Sequence, residues 1–222
     1  MDDIATRWQA VRARVAEACE RAKRALDEVT IVAVSKTQPA DAVRAAAAAG
    51  ASDFGENYAQ ELVAKRTECG DGPRWHFIGR LQRNKAKLVA GQVALVHAVD
   101  SRELAEELGK RAAGAVQPVL IAVNVAGELT KGGVTVADAG ELARAIAAVQ
   151  GVRLDGLMTM PPPDIDPRPC FEALLALRAR LQDQLGAALP VLSMGMSGDF
   201  ELAIACGATH VRIGTAIFGA RS

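Results

Sequence analysis

No stretch of the 222 residues approaches the ~20 consecutive apolar positions needed to cross a bilayer as a helix, so no transmembrane helix is expected. The first residues, MDDIATRWQAVRARV, carry two acids at once and lack the basic-then-apolar order of a secretory signal. Cysteine is scarce and scattered. Cys19, Cys69, Cys170 and Cys206 form no C-x-x-C pair and have no histidine at ligand spacing. That pattern argues for free thiols in a reducing compartment, and against a zinc site or a disulfide framework. An excess of either charge is also missing, with Lys+Arg and Asp+Glu at 26 each. A neutral chain has no global field to draw it onto nucleic acid or anionic lipid. The expectation is a cytoplasmic, soluble protein with neither nucleic acid nor a membrane as partner.

What the chain does have is a strict alternation. Strand-like apolar runs are predicted at 30–35, 51–54, 74–78, 95–99, 118–124, 154–158, 190–194 and 209–213. Between them lie stretches rich in Ala, Leu, Arg and Glu, the signature of repeated β/α units around a parallel sheet. Eight such runs match a closed (β/α)8 TIM-type barrel in number, and the length falls within the ~200–250 residues such a barrel uses as one domain. A doubly wound open sheet is the alternative. Ile4, Trp8, Val11 and Val15 recur at spacings of four and three, giving the first helix an apolar stripe. Pro39 and Asp41 open the second helix, and Gly50 follows its alanine-rich body. The proline-rich segment 160–169 reads as a βα loop, so residues 1–222 are expected to form one domain.

Lys36 ends the first apolar run, in VAVSKTQP. At period two it shares a face with Val34 and Val32, which would point it into the barrel's upper mouth, where active sites of this fold lie. A lysine desolvated there is a usable amine for imine formation, whereas a lysine merely capping a strand reaches solvent. The last run continues as HVRIGTAIFG, so Gly214 and Thr215 lie between a strand and a short helix whose free amides could cradle a phosphate. The seventh unit offers SMGMSGDF, with Ser197 as a helix N-cap and Gly198 allowing close backbone approach. In a closed barrel the first strand pairs with the eighth, so Lys36 and Arg212 are expected as neighbours at the rim. An amine beside a phosphate seat fits pyridoxal phosphate; it fits a phosphorylated sugar equally. Asn57 and His76 stand near strand ends as contacts or as structural residues. Arg80, Arg83, Lys85 and Lys87 read as a solvated basic face, and Lys131 as a loop lysine.

Six blocks carry a resemblance that runs nearly end to end: AVSKTQP around Lys36, FGENYAQE at 54–61, WHFIGRLQRNK at 75–85, LMTMPP at 157–162, LSMGMSGDF at 192–200 and VRIGTAIFG at 211–219. In these the chain resembles the pyridoxal phosphate homeostasis protein family. The resemblance implies a barrel like the alanine racemase N-terminal domain, with Lys36 as the pyridoxal phosphate lysine. It implies that Ser197, Gly214 and Thr215 hold the phosphate, that Arg212 faces the pyridine nitrogen, and that Asn57, His76 and Met158 line the cofactor. Arginine cannot accept a proton, so it supports carbanion chemistry through the ring poorly. Racemisation also needs an acid/base on the opposite face, and the only tyrosine is Tyr58. The reading is therefore a monomeric carrier that stores, buffers or delivers pyridoxal phosphate to apo-enzymes that use it. A slow racemase-like enzyme and a sugar-phosphate aldolase-type barrel are the alternatives.

Overall fold

The computed structural model describes residues 4–128 and 132–219. Its strands are β1 (Thr30–Val34), β2 (Asp53–Glu56), β3 (Arg74–Phe77), β4 (Leu95–Val99), β5 (Gln117–Ala122), β6 (Val152–Met158), β7 (Val191–Ser193) and β8 (His210–Ile213). All pair in parallel, in sequence order, and close into a barrel. Closure joins Thr30–Ala33 of β1 to His210–Ile213 of β8, with Val32 opposite Arg212.

The helices are α1 (Ile4–Arg21), α2 (Ala40–Ala48), α3 (Ala59–Cys69), α4 (Arg102–Arg111), α5 (Ala139–Ala147), α6 (Arg168–Leu185), α7 (Phe200–Ala205) and α8 (Thr215–Phe218). A 3-10 turn at Arg83–Leu88 stands where an α-helix would link β3 to β4. α1 buries Trp8, Val11 and Val15 of its apolar stripe and packs against α2, α7 and α8, which covers the seam between the first and last strands. The proline-rich segment is a βα loop leading into α6, as expected.

Several strand ends differ from expectation by one or two residues, and one of these shifts has a clear cause. The second strand begins at Asp53 rather than at residue 51, because the Ala51 amide still donates to Ala46 O and so closes α2. The four letters ASDF could not show that the first two belong to a helix end. The cysteines are free thiols, with Cys19, Cys170 and Cys206 buried.

Most of the apolar core lies between the sheet and the helices. Ala33, Phe54, Val96, Val119, Leu157 and Val211 belong to it. The side chains buried on the strands also include Asp53, Glu56, His76, His97, Ser193 and Arg212. Barrels of this kind usually fill their interior with branched apolar residues. Here polar groups replace them on β2, β3, β4, β7 and β8.

Gly156 in β6 packs tightly against β7, beside a register shift against β5. A Cβ there would lie 1.9 Å from Val191 O, against backbone that cannot step aside. Gly156→Ala is expected to cost roughly 2–3 kcal/mol, measurable as a fall in the urea midpoint with an unchanged slope.

Candidate functional site

A cavity of about 310 Å³ opens where the chain leaves β1, β7 and β8. Its wall holds Lys36, Asn57, Ser197, Gly198, Arg212, Gly214 and Thr215, with Val34, Ile78, Met160, Met196 and Phe218 as apolar surface. Its lining includes two cations and no acid. The volume suits a small ligand, at the lower end of the ~300–1,000 Å³ usual for such sites. An adjoining cavity of about 750 Å³ shares Asn57 and runs past Tyr58, Arg80, Arg83, Lys85 and Asp100. It is larger but contains neither Lys36 nor the turn after β8.

Lys36 stands two residues beyond β1 on a braced loop. Its neighbour Thr37 has φ +64°, a left-handed conformation costly for a β-branched residue. α3 supplies the brace. The Thr37 amide donates to Glu61 Oε2 (2.8 Å), and Lys65 Nζ donates to Ser35 O (2.6 Å). Lys65 also bridges Glu61 and the fully buried Glu56, which accepts from Ser35 Oγ at 2.6 Å. Burial pushes the Glu56 carboxyl above its ordinary range, with Lys65 and Ser35 opposing. Burial also pushes on Glu61, but the Thr37 amide and Lys65 prevail and hold that carboxyl down. The backbone on both sides of Lys36 is thus fixed by charged side chains.

Arg212 is buried where the barrel interior meets the cavity. Its guanidinium donates to Ser193 Oγ (2.6 Å) and to Thr159 O (3.0 Å), with no carboxylate at hydrogen-bond distance among the described residues. Burial lowers its pKa to about 10, the Asp199 charge acting the other way. Arg212 and Lys36 flank the same cavity from paired strands, as closure requires. Their depths differ, because Arg212 sits opposite Val32, which precedes Lys36 by four residues along the chain.

The turn after β8 supplies the neutral donors. α8 begins at Thr215; the Ile217 and Phe218 amides donate to Gly214 O, while those of Thr215 and Ala216 have no acceptor within the helix. Across the mouth, Ser197 Oγ faces the Ala216 amide at 3.5 Å. Ser197 is not a helix N-cap, a correction to the expectation. Asp199 occupies that position, its Oδ1 accepting from the Met196 amide at 2.5 Å. The hydroxyl of Ser197 therefore remains with the cavity. Position 198 has open space around it, so packing within the protein does not demand a glycine there.

Residues 7–222 match the model of the alanine racemase N-terminal domain family. A pyridoxal phosphate homeostasis protein of Aquifex aeolicus is 46% identical over 97% of both chains. One from Pseudomonas aeruginosa is 46% identical over 100% of this chain and 97% of its own. The chain belongs to the pyridoxal phosphate homeostasis protein family. A solved relative, PipY of Synechococcus elongatus with pyridoxal phosphate bound, superposes with TM-score 0.86 at 35% identity, covering 98% of this chain and 100% of its own. Alanine racemase of Corynebacterium glutamicum superposes with TM-score 0.69 at 19% identity over 62% of its own chain, a likeness of fold alone.

The family's motif blocks bring seven of the nine expected site residues to one cavity: Lys36, Asn57, Ser197, Gly198, Arg212, Gly214 and Thr215. His76 and Met158 are not on its wall. Met158 closes β6 beside Ser193, and Met160 takes the wall position instead. His76 is buried on β3 and contacts Asp53 and His97. Lys131 lies outside the described residues. Arg80, Arg83 and Lys87 are exposed, as a solvated basic face would be.

Sequence reasoning missed Glu56, Glu61 and Lys65, as well as Asp53, His97, Ser193 and His210. Two signals were present: a Glu-x-x-x-Lys pair at 61 and 65, and histidines inside three apolar runs.

Two measurements follow from this packing. Lys65→Met leaves Glu56 buried without its cation and is expected to cost about 3–5 kcal/mol in chemical denaturation. Burial lowers His210 to about 3, and His97 falls well below its ordinary value for the same reason. Stability from such neutral histidines is complete above the unfolded value of about 6.5 and is lost as pH falls, at about 1.4 kcal/mol per pH unit for each proton. His210→Gln should make the fall in stability between about pH 6.5 and pH 5 shallower by up to that slope.

Proposed function

We propose that this protein binds pyridoxal 5′-phosphate on Lys36 and serves its homeostasis, holding and releasing the cofactor rather than turning over a substrate with it. The observation that carries the reading is the cavity itself. An amine, a buried guanidinium, a hydroxyl and a helix start converge on a space that no acid lines among the described residues. The unpaired, buried Oδ1 of Asn57 adds an acceptor on the same wall. This donor set fits an anionic aldehyde with a heteroaromatic ring.

In that arrangement the Lys36 amine condenses with the aldehyde carbon, forming C=N and releasing water. Ser197 and the amides at the start of α8 hold the phosphate, with Gly198 and Gly214 leaving room for it. Arg212 faces the ring nitrogen as a donor that cannot take a proton from it. The bound cofactor supplies an electron-withdrawing ring. The fixed charge of Arg212 disfavours the protonated ring that carbanion chemistry uses, which supports a holding role. The lone tyrosine supports it too: Tyr58 is 54% exposed and lines the adjoining cavity, away from Lys36. Apo-enzymes that require the cofactor are the proposed recipients, and a cytoplasmic monomer the proposed form.

Borohydride reduction of the loaded protein, followed by peptide mass spectrometry, should give a pyridoxyl adduct on the Lys36 peptide, lost in Lys36→Ala. An unmodified peptide would overturn the cofactor assignment. Substantial racemase or transaminase turnover that disappears with Lys36→Ala would overturn the holding role. Ser197→Ala should weaken cofactor retention by about 1–2 kcal/mol, read from equilibrium dialysis.

A further inference from the structure

The three histidines of this chain meet inside the barrel, on three different strands. Their ring centroids lie 5.1 Å (His76–His97), 5.9 Å (His76–His210) and 6.0 Å (His97–His210) apart. A continuous line of hydrogen bonds runs through two of them. Arg212 Nη1 donates to Ser193 Oγ at 2.6 Å, and Ser193 Oγ lies 2.8 Å from His97 Nδ1. His97 Nε2 lies 2.9 Å from His76 Nδ1, and His76 Nε2 lies 2.8 Å from Asp53 Oδ1. Asp53 is held in turn by Ser52 Oγ and by Arg74 Nε at 2.6 Å each, and the Arg74 side chain is 60% exposed. The line thus begins at the ligand cavity and ends near the surface at the start of β3.

Donor and acceptor rules give this line a direction. Arginine can only donate, so Ser193 Oγ accepts at the top. An ionised carboxylate can only accept, so His76 Nε2 donates at the bottom. Burial pushes the Asp53 carboxyl up, but bonds from His76, Arg74 and Ser52 outweigh it and keep the group ionised. With neutral rings, His76 Nδ1 is then an acceptor, His97 Nε2 a donor, and His97 Nδ1 an acceptor for the Ser193 hydroxyl. Every bond has one donor and one acceptor, and both rings are the Nε2–H form. In the reverse order, neutral rings would turn an unprotonated His76 Nε2 toward the Asp53 carboxylate. Adding a proton to avoid this would turn the buried His76 into an imidazolium. The Ser193 hydroxyl proton would also lose His97 Nδ1 as its acceptor.

We infer that Ser193, His97, His76 and Asp53 form a one-way donor chain that fixes the Arg212 guanidinium at the cavity floor, which makes Ser193 and His97 positioning residues for the charge presented to the cofactor ring. The chain links a buried cation to an anion four hydrogen bonds away, with no charge in between. Its effect on the ring rests on the pyridoxal phosphate reading above; the proton order does not. His210 packs against both rings, its Nδ1 3.1 Å from Thr209 Oγ1. It borders the chain without being a link.

The test has two arms. In the first, long-range proton–nitrogen NMR of labelled histidine side chains is recorded on the unliganded protein, with one variant per histidine for assignment. At about pH 8, His97 and His76 should each carry the ring proton on Nε2 and none on Nδ1. An Nδ1–H form or an imidazolium at either ring overturns the inference. In the second, Ser193→Ala and His97→Gln are loaded with pyridoxal phosphate. Each should weaken affinity by about tenfold and shift the absorption maximum of the bound cofactor, with the Lys36 adduct still formed. Unchanged affinity and spectrum in both variants overturn the positioning role. If the unaltered protein gives no borohydride-fixed adduct on Lys36, the cofactor reading fails, while the first arm still decides the proton order.

Discussion

The parallel pairing of β1 with β8 is the constraint on which the site depends. Lys36 follows the first strand and the turn at Gly214 and Thr215 follows the last, almost the whole chain apart in sequence. Only closure makes them neighbours. Seven other strand pairings and the packing of α1 across the seam are what hold that contact in place. The entropy of joining distant segments is met by the fold's core, and local contacts such as those of Glu61 and Lys65 then fix the detail around Lys36.

The second organising feature is the placement of charge. Positive groups at the cavity are kept apart from negative ones and are supported at a distance. Beneath Lys36, Glu56 and Glu61 act on Lys65 and on the flanking backbone, not on Lys36 itself among the hydrogen bonds seen. Beneath Arg212, Asp53 is reached through a serine and two histidines. A carboxylate in direct contact with either group would lower the attraction of the cavity for an anion. Displacing the acids by one or more layers satisfies burial while leaving the mouth positive. The same logic accounts for a polar barrel interior where branched apolar residues would give a more stable core.

In the proposed reading Arg212 presents a fixed charge to the cofactor ring. A buried guanidinium anchored on a hydroxyl and a carbonyl keeps its proton and offers a rigid donor. The racemase that shares this fold is a longer protein, of which this chain spans 62%. Similarity at that level concerns the scaffold, and the scaffold accommodates both uses.

The sequence by itself determined the barrel, its order of strands and most of the cavity wall. Period-two patterning and β/α alternation are local properties, and the motifs at the strand ends lie within a few residues of the groups they serve. It could not give depth or long-range partners. Whether Arg212 sits at the rim or on the floor depends on the stagger between β1 and β8. That Asp199 rather than Ser197 caps α7 depends on where one turn ends. The polar lines beneath Lys36 and Arg212 include single hydrogen bonds between residues as many as 96 positions apart. No local pattern encodes such bonds, because they exist only once the strands have closed and water has been excluded from between them.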